Sequence, residues 1–128
     1  MKREQVLFIF CIIGFLAVML GAFGAHYLKP TLIERNMTTT WNTAVSYQFY
    51  HTLAGLFFAK HLNSVKVPVL FIVGIFFFSF SLYGLALFPS LKFLGPITPI
   101  GGICFLTGWI VALAQLVKQS RNQKPSES

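Results

Sequence analysis

A tyrosine, a glutamine and a histidine at helical spacing are the residues of this chain best suited to chemistry. Tyr47, Gln48 and His51 lie inside an apolar stretch running from Thr39 to Gly55. In a helix, spacings of three and four bring Ala44, Tyr47, Gln48, His51, Gly55 and Phe58 onto one side. That side is small and polar, while the remainder is aromatic and aliphatic. An imidazole in the middle of an apolar helix could relay protons, ligate a haem or metal, or line a pocket for a polar ligand. It could equally be a strut between helices. Such interhelical hydrogen bonds average about 0.6 kcal/mol and reach about 1.7, so they specify geometry more than they stabilise. The strut is the expectation carried forward.

The other chemical groups give weaker signals. His26 closes the run Gly21-Ala22-Phe23-Gly24-Ala25 and is a candidate interfacial residue. As a partner for His51 it is misplaced, because the two differ in depth by roughly 10–15 Å at 1.5 Å rise per residue. A histidine capping carbonyls at a helix end is the simpler expectation. His61 adjoins Lys60 in a turn. The start Thr98-Pro99-Ile100-Gly101-Gly102 could hold an anion on its amides, but it lacks phosphate-loop spacing and reads as a closely packed helix start. Cys11 and Cys104 lie in apolar runs without a CxxC neighbour and read as small hydrophobes. Glu4, Glu34 and Glu127 all fall outside those runs, and no HExxH or GxSxG motif occurs. A hydrolase or a carboxylate proton carrier therefore has little support. No metal site, cofactor or catalytic residue is expected.

Composition says where these groups sit. Of the 128 residues, 55% are hydrophobic and 10% charged, against about 25% charged in soluble domains. The net charge of +7 is scattered between apolar runs rather than gathered on one stripe, which points away from nucleic acid and towards membrane-flanking cations. The expected fold is all-α: one bundle of four transmembrane helices, residues 1–118, with spans near 5–26, 41–59, 67–88 and 98–118. Each has the ~20 residues needed to cross a bilayer core. Residues 119–128 form a polar tail, expected to be mobile and cytoplasmic. The first run also resembles a signal peptide, with Lys2-Arg3 before Val6–Leu20 and small residues at Ala22-Phe23-Gly24. The small-residue ladder Ala17, Gly21, Ala25 suits a retained, packed helix better. Cys104, Gly108 and Ala112 form a second ladder, and Gly55 lies on the polar side of the second helix; all these positions are expected at close helix contacts.

Charge also sets orientation. Four spans place Lys2, Arg3, Lys60, Lys66, Lys118, Arg121 and Lys124 on one side and Lys29, Arg35 and Lys92 on the other. The positive-inside rule then predicts cytoplasmic N- and C-termini in a plasma membrane, the inner membrane of a bacterium.

Four motifs occur in order: Gly21-Ala22-Phe23-Gly24-Ala25-His26; Trp41-Asn42-Thr43-Ala44 with Tyr47 and His51; Ser81-Leu82-Tyr83; and Ile97-Thr98-Pro99-Ile100-Gly101-Gly102 with Gly108-Trp109. Together they resemble the YgdD/YwdK group of small bacterial membrane proteins, which has distant relatives in animals. The resemblance spans nearly the whole chain and implies a small multi-span membrane protein of unassigned activity. It supplies no catalytic residues. The functional expectation is a non-enzymatic accessory or scaffold subunit whose partners are the lipid bilayer and other membrane proteins or itself. A small-solute or proton carrier using the polar face around His51 is the alternative, and a haem- or metal-binding redox subunit is the third reading.

Overall fold

The computed structural model describes residues 1–123, which are helical apart from short connections. Four long helices are α1 (Arg3–Ala25), α3 (Thr38–His61), α4 (Lys66–Leu87) and α5 (Thr98–Gln123); α2 (Lys29–Glu34) is a short helix between the first two, and a 3-10 turn (Lys92–Leu94) precedes α5. Among the described residues, three helical stretches are long and apolar enough to cross a membrane: Arg3–Ala25, Lys66–Leu87 and Lys92–Gln123. By length α3 could also cross, since 24 residues span about 36 Å at 1.5 Å each. Its composition is what sets it apart. Thr43, Ser46, Gln48, His51 and Thr52 interrupt its apolar residues.

Each long helix runs antiparallel to its neighbour in sequence. Arg3 at the start of α1 donates to Leu62 O beyond the end of α3, at 3.0 Å, while Trp41 at the start of α3 donates to Leu20 O near the end of α1, at 2.9 Å. The pairs α1–α3, α3–α4 and α4–α5 carry the main packing. Two hydrophobic clusters result. One holds Val6, Phe10, Phe58, Leu62, Phe71, Ile75 and Phe105; the other gathers Leu32, Trp41, Ala44, Tyr83 and Ala86 near the opposite end. Outward-facing residues such as Phe8, Phe15, Phe76, Ile103 and Leu113 are large, apolar and exposed, as a lipid-facing surface requires.

Glycines let aromatic rings settle against backbone. The Phe10 ring lies over Gly55, and the Trp41 indole over Gly24. Between α4 and α5 the exchange is reciprocal: Phe71 fills the space at Gly108, and Phe105 the space at Gly74. At Gly101 the contact is tighter still, because a side chain there would meet the backbone nitrogen of Phe78 and the carbonyl of Gly74. Without a hydrophobic drive between lipid-immersed helices, this close packing is the main cohesive term.

Local residue chemistry sets the helix ends. Pro30 sits in the first turn of α2, where a missing N–H is tolerated. Asn36 ends that excursion at φ 58, a left-handed conformation that asparagine accepts more readily than most residues. Thr38, Thr39 and Thr40 lie inside the first turn of α3, whose N-cap, Met37, has no capping side chain. Ala25, expected at a helix contact, is exposed. The register of α1 turns Gly24 inward instead, against Trp41. Ala17, Gly55, Gly108 and Ala112 are buried, whereas Gly21 and Cys104 are half-buried. Helix α5 continues past Lys118 to Gln123, held by Gln119, which bonds the α3–α4 turn. Of the expected tail, Lys124–Ser128 lies outside the described residues.

Candidate functional site

The polar side of α3 is a junction where α3 reaches every other long helix. Gln48 is fully buried. Its Nε2 donates to Ile13 O on α1 at 2.9 Å, and its Oε1 accepts from the Tyr83 hydroxyl on α4 at 2.6 Å. One amide thus joins three helices. A turn earlier, the Ser79 hydroxyl of α4 donates to Ala44 O at 2.8 Å. A turn later, Thr52 donates to Gln48 O at 2.6 Å, a back-bond that satisfies its hydroxyl without leaving α3.

His51 completes the junction towards α5. Its Nδ1 lies 2.8 Å from Tyr47 O, and its Nε2 lies 3.1 Å from the indole nitrogen of Trp109. Those two contacts fix the tautomer. An indole N–H can only donate, and a backbone carbonyl can only accept. Nδ1 therefore carries the proton and donates to Tyr47 O, while Nε2 is unprotonated and accepts from Trp109. The imidazole is neutral in this arrangement, and both of its polar sites are used. Aromatic rings surround it: Phe105 stacks on one face at a centroid distance of 3.6 Å, and Phe71 meets it edge-on at 5.0 Å.

Tyr47 contributes differently from the expectation. Its ring packs against Phe78 at 4.8 Å and its carbonyl receives His51, but the side chain is 41% exposed. The hydroxyl that reaches Gln48 belongs to Tyr83. Ser79 and Tyr83 stand four apart on one face of α4, and that spacing was the available sign that they act together. His26 is not brought to His51; it is the exposed C-cap of α1. His61 is exposed, and its ring packs on Phe57 at 4.3 Å. Among the described residues, no three His, Cys, Asp or Glu side chains come together. Both cysteines are free.

Beside His51, an open groove of about 350 Å³ runs between α3 and α5, with walls that include Tyr47, Phe78, Phe105 and Trp109. Its surface is mostly aromatic, and His51 lines it with both imidazole nitrogens already bonded.

Residues 20–102 match the model of a family described as "Protein of unknown function (DUF423)". The chain belongs to this family. Among its relatives is the UPF0382 membrane protein YwdK of Bacillus subtilis, 38% identical over 86% of this chain and 97% of the relative. The inner membrane protein YgdD of Escherichia coli is 37% identical over 94% and 95%, and a membrane protein of the yeast Schizosaccharomyces pombe is 38% identical over 78% and 91%. No solved structure matches. The matched family segment contains Trp41, Ala44, Gln48, His51, Ser79 and Tyr83, and ends at the Gly101-Gly102 start of α5. The family is one of membrane proteins with no assigned activity.

Proposed function

We propose that this protein is a four-span, non-catalytic subunit of the bacterial inner membrane, acting as an accessory or scaffold. The observation that carries the reading is the saturation of the α3 face. Gln48, His51, Ser79, Tyr83 and Trp109 spend their polar atoms on one another or on neighbouring backbone. A catalytic or ligand-binding histidine needs a nitrogen free to meet its substrate or metal. His51 has neither nitrogen free, which weighs against the redox reading. In this proposal α3 crosses the bilayer as the fourth span, made tolerable by turning its polar residues inward.

A carrier is the second reading, because the groove between α3 and α5 reaches His51. Flux assays in proteoliposomes decide between them. The scaffold reading expects proton and small-solute permeability no greater than that of empty vesicles, unchanged by His51→Ala. Flux above background that disappears in folded His51→Ala protein would replace it with the carrier.

Four crossings also place both termini on one side. A reporter fused after Ser128 is expected to signal in the cytoplasm, and one inserted at Asn36 in the periplasm. A cytoplasmic signal at Asn36 contradicts the topology.

A further inference from the structure

Where the α3–α4 turn meets the far end of α5, the chain forms a half-open cavity of about 230 Å³. Lys66 and Lys118 line it together with Asn63, Gln115, Gln119 and Asn122. Among the described residues no carboxylate lines it; the acids of the chain are Glu4, Glu34 and Glu127. Two lysines lining one concavity make a local positive potential that favours an anion.

The walls are fixed by bonds of their own. Gln119 Oε1 accepts the Asn63 N–H at 3.0 Å, and Gln119 Nε2 donates to His61 O at 3.1 Å. Ser64 Oγ accepts the Lys66 N–H at 3.1 Å where α4 begins, so the positive end of that helix also faces this region. One atom asks for something different. Gln115 Oε1 is buried, and among the described residues it has no hydrogen-bond donor. A buried acceptor is unfavourable until a donor reaches it.

We propose that this cavity binds a phosphate ester that also carries a hydroxyl, with the anion at Lys66 and Lys118 and the hydroxyl donating to Gln115 Oε1 as that amide turns from its buried position into the cavity it lines. A bare anion would answer the lysines and leave Gln115 unpaired. A choline head group has no hydroxyl to donate and no net charge. The required chemistry exists in two sources, the head group of phosphatidylglycerol and a soluble glycerol phosphate. Polar residues replace the apolar runs at this end of α4 and α5, where basic pockets between membrane helices meet head groups.

Native mass spectrometry of the full-length protein, delipidated in mild detergent, tests the site. The probes are short-chain phosphatidylglycerol, phosphatidic acid and phosphatidylcholine, and soluble glycerol 3-phosphate. Phosphatidylglycerol is expected to bind saturably, one per chain, at least tenfold tighter than phosphatidylcholine. Lys66→Gln with Lys118→Gln should weaken it at least tenfold. Both lysines are exposed, so the fold should tolerate the change. Lys60→Gln with Arg121→Gln removes the same charge outside the cavity and should leave binding intact. Gln115→Leu should weaken phosphatidylglycerol but not phosphatidic acid, which offers no head-group hydroxyl. Displacement of the lipid by glycerol 3-phosphate assigns the site to the soluble ester, and failure of displacement assigns it to the lipid. Equal binding of phosphatidylcholine overturns the proposal. So does binding unchanged in the cavity-lysine variant, unchanged in Gln115→Leu, or weakened equally by the Lys60 and Arg121 changes.

Discussion

Alanine at position 101 is expected to be among the most damaging single-methyl changes in this protein. The added Cβ would meet the backbone nitrogen of Phe78 and the carbonyl oxygen of Gly74. Neither can rotate away as a side chain can, so α4 and α5 must separate. Overpacking of this kind costs about 1–3 kcal/mol, and more where backbone has to move. The separation would also loosen the contacts of Phe71 with Gly108 and Phe105 with Gly74, which depend on the same interhelical distance. Gly102 is the internal control. A Cβ there meets only the Phe78 ring, at 4.0 Å, an ordinary contact, and Gly102→Ala should be neutral or slightly stabilising through the better helix propensity of alanine. Thermal unfolding of both variants in the same detergent checks this. Equal melting temperatures would contradict a backbone-to-backbone contact between α4 and α5 at Gly101.

The second large effect is expected at Gln48. Leucine there keeps the approximate volume but removes the donor to Ile13 O and the acceptor for Tyr83. Each interhelical bond is worth about 0.6 kcal/mol on average in a membrane protein. The greater cost is the Tyr83 hydroxyl left buried without a partner, on the order of 1–3 kcal/mol. A loss of about 2–3 kcal/mol is expected for Gln48→Leu by denaturant titration. Adding Tyr83→Phe removes the orphaned hydroxyl, and the double variant should recover much of that loss. The Gln48–Tyr83 coupling is read directly from this double-mutant cycle. Strict additivity of the two single losses would show that these side chains do not meet.

Residue spacing made much of this arrangement legible, and its failures have physical causes. Runs of Phe, Ile and Leu bounded by Pro, Gly and cations marked the long helices, because the bilayer allows few alternatives to a helix of that length. The helical period placed Gln48, His51 and Gly55 on one side of α3, where they are buried together. What could not be read was the partner across the gap. Spacing along α3 says nothing of whether the Tyr47 or the Tyr83 hydroxyl reaches Gln48, since that depends on the rotation of α4 against α3. Trp109 as the donor to His51 was hidden for the same reason: it lies on a different helix, 58 positions away. At Ala25 the ladder of every fourth residue failed because 3.6 residues per turn drifts away from a strict four-residue stripe. By the end of α1 the inward position has passed to Gly24. The extension of α5 beyond Lys118 depends on a bond from Gln119 to a distant turn, which composition could not reveal.

With both ring nitrogens bonded, we propose that His51 is a neutral strut rather than a reactive group. The direct measurement is the nitrogen-15 spectrum of its imidazole at neutral pH, recorded on protein reconstituted in lipid nanodiscs and assigned with His51→Gln. A neutral ring with the proton on Nδ1 and an unprotonated, hydrogen-bonded Nε2 is the expected result, and Trp109→Phe should alter the Nε2 signal alone. A proton on Nε2, or a charged imidazolium, would mean that the ring is not accepting from Trp109 and has a polar atom free, contradicting the strut and reopening the carrier reading.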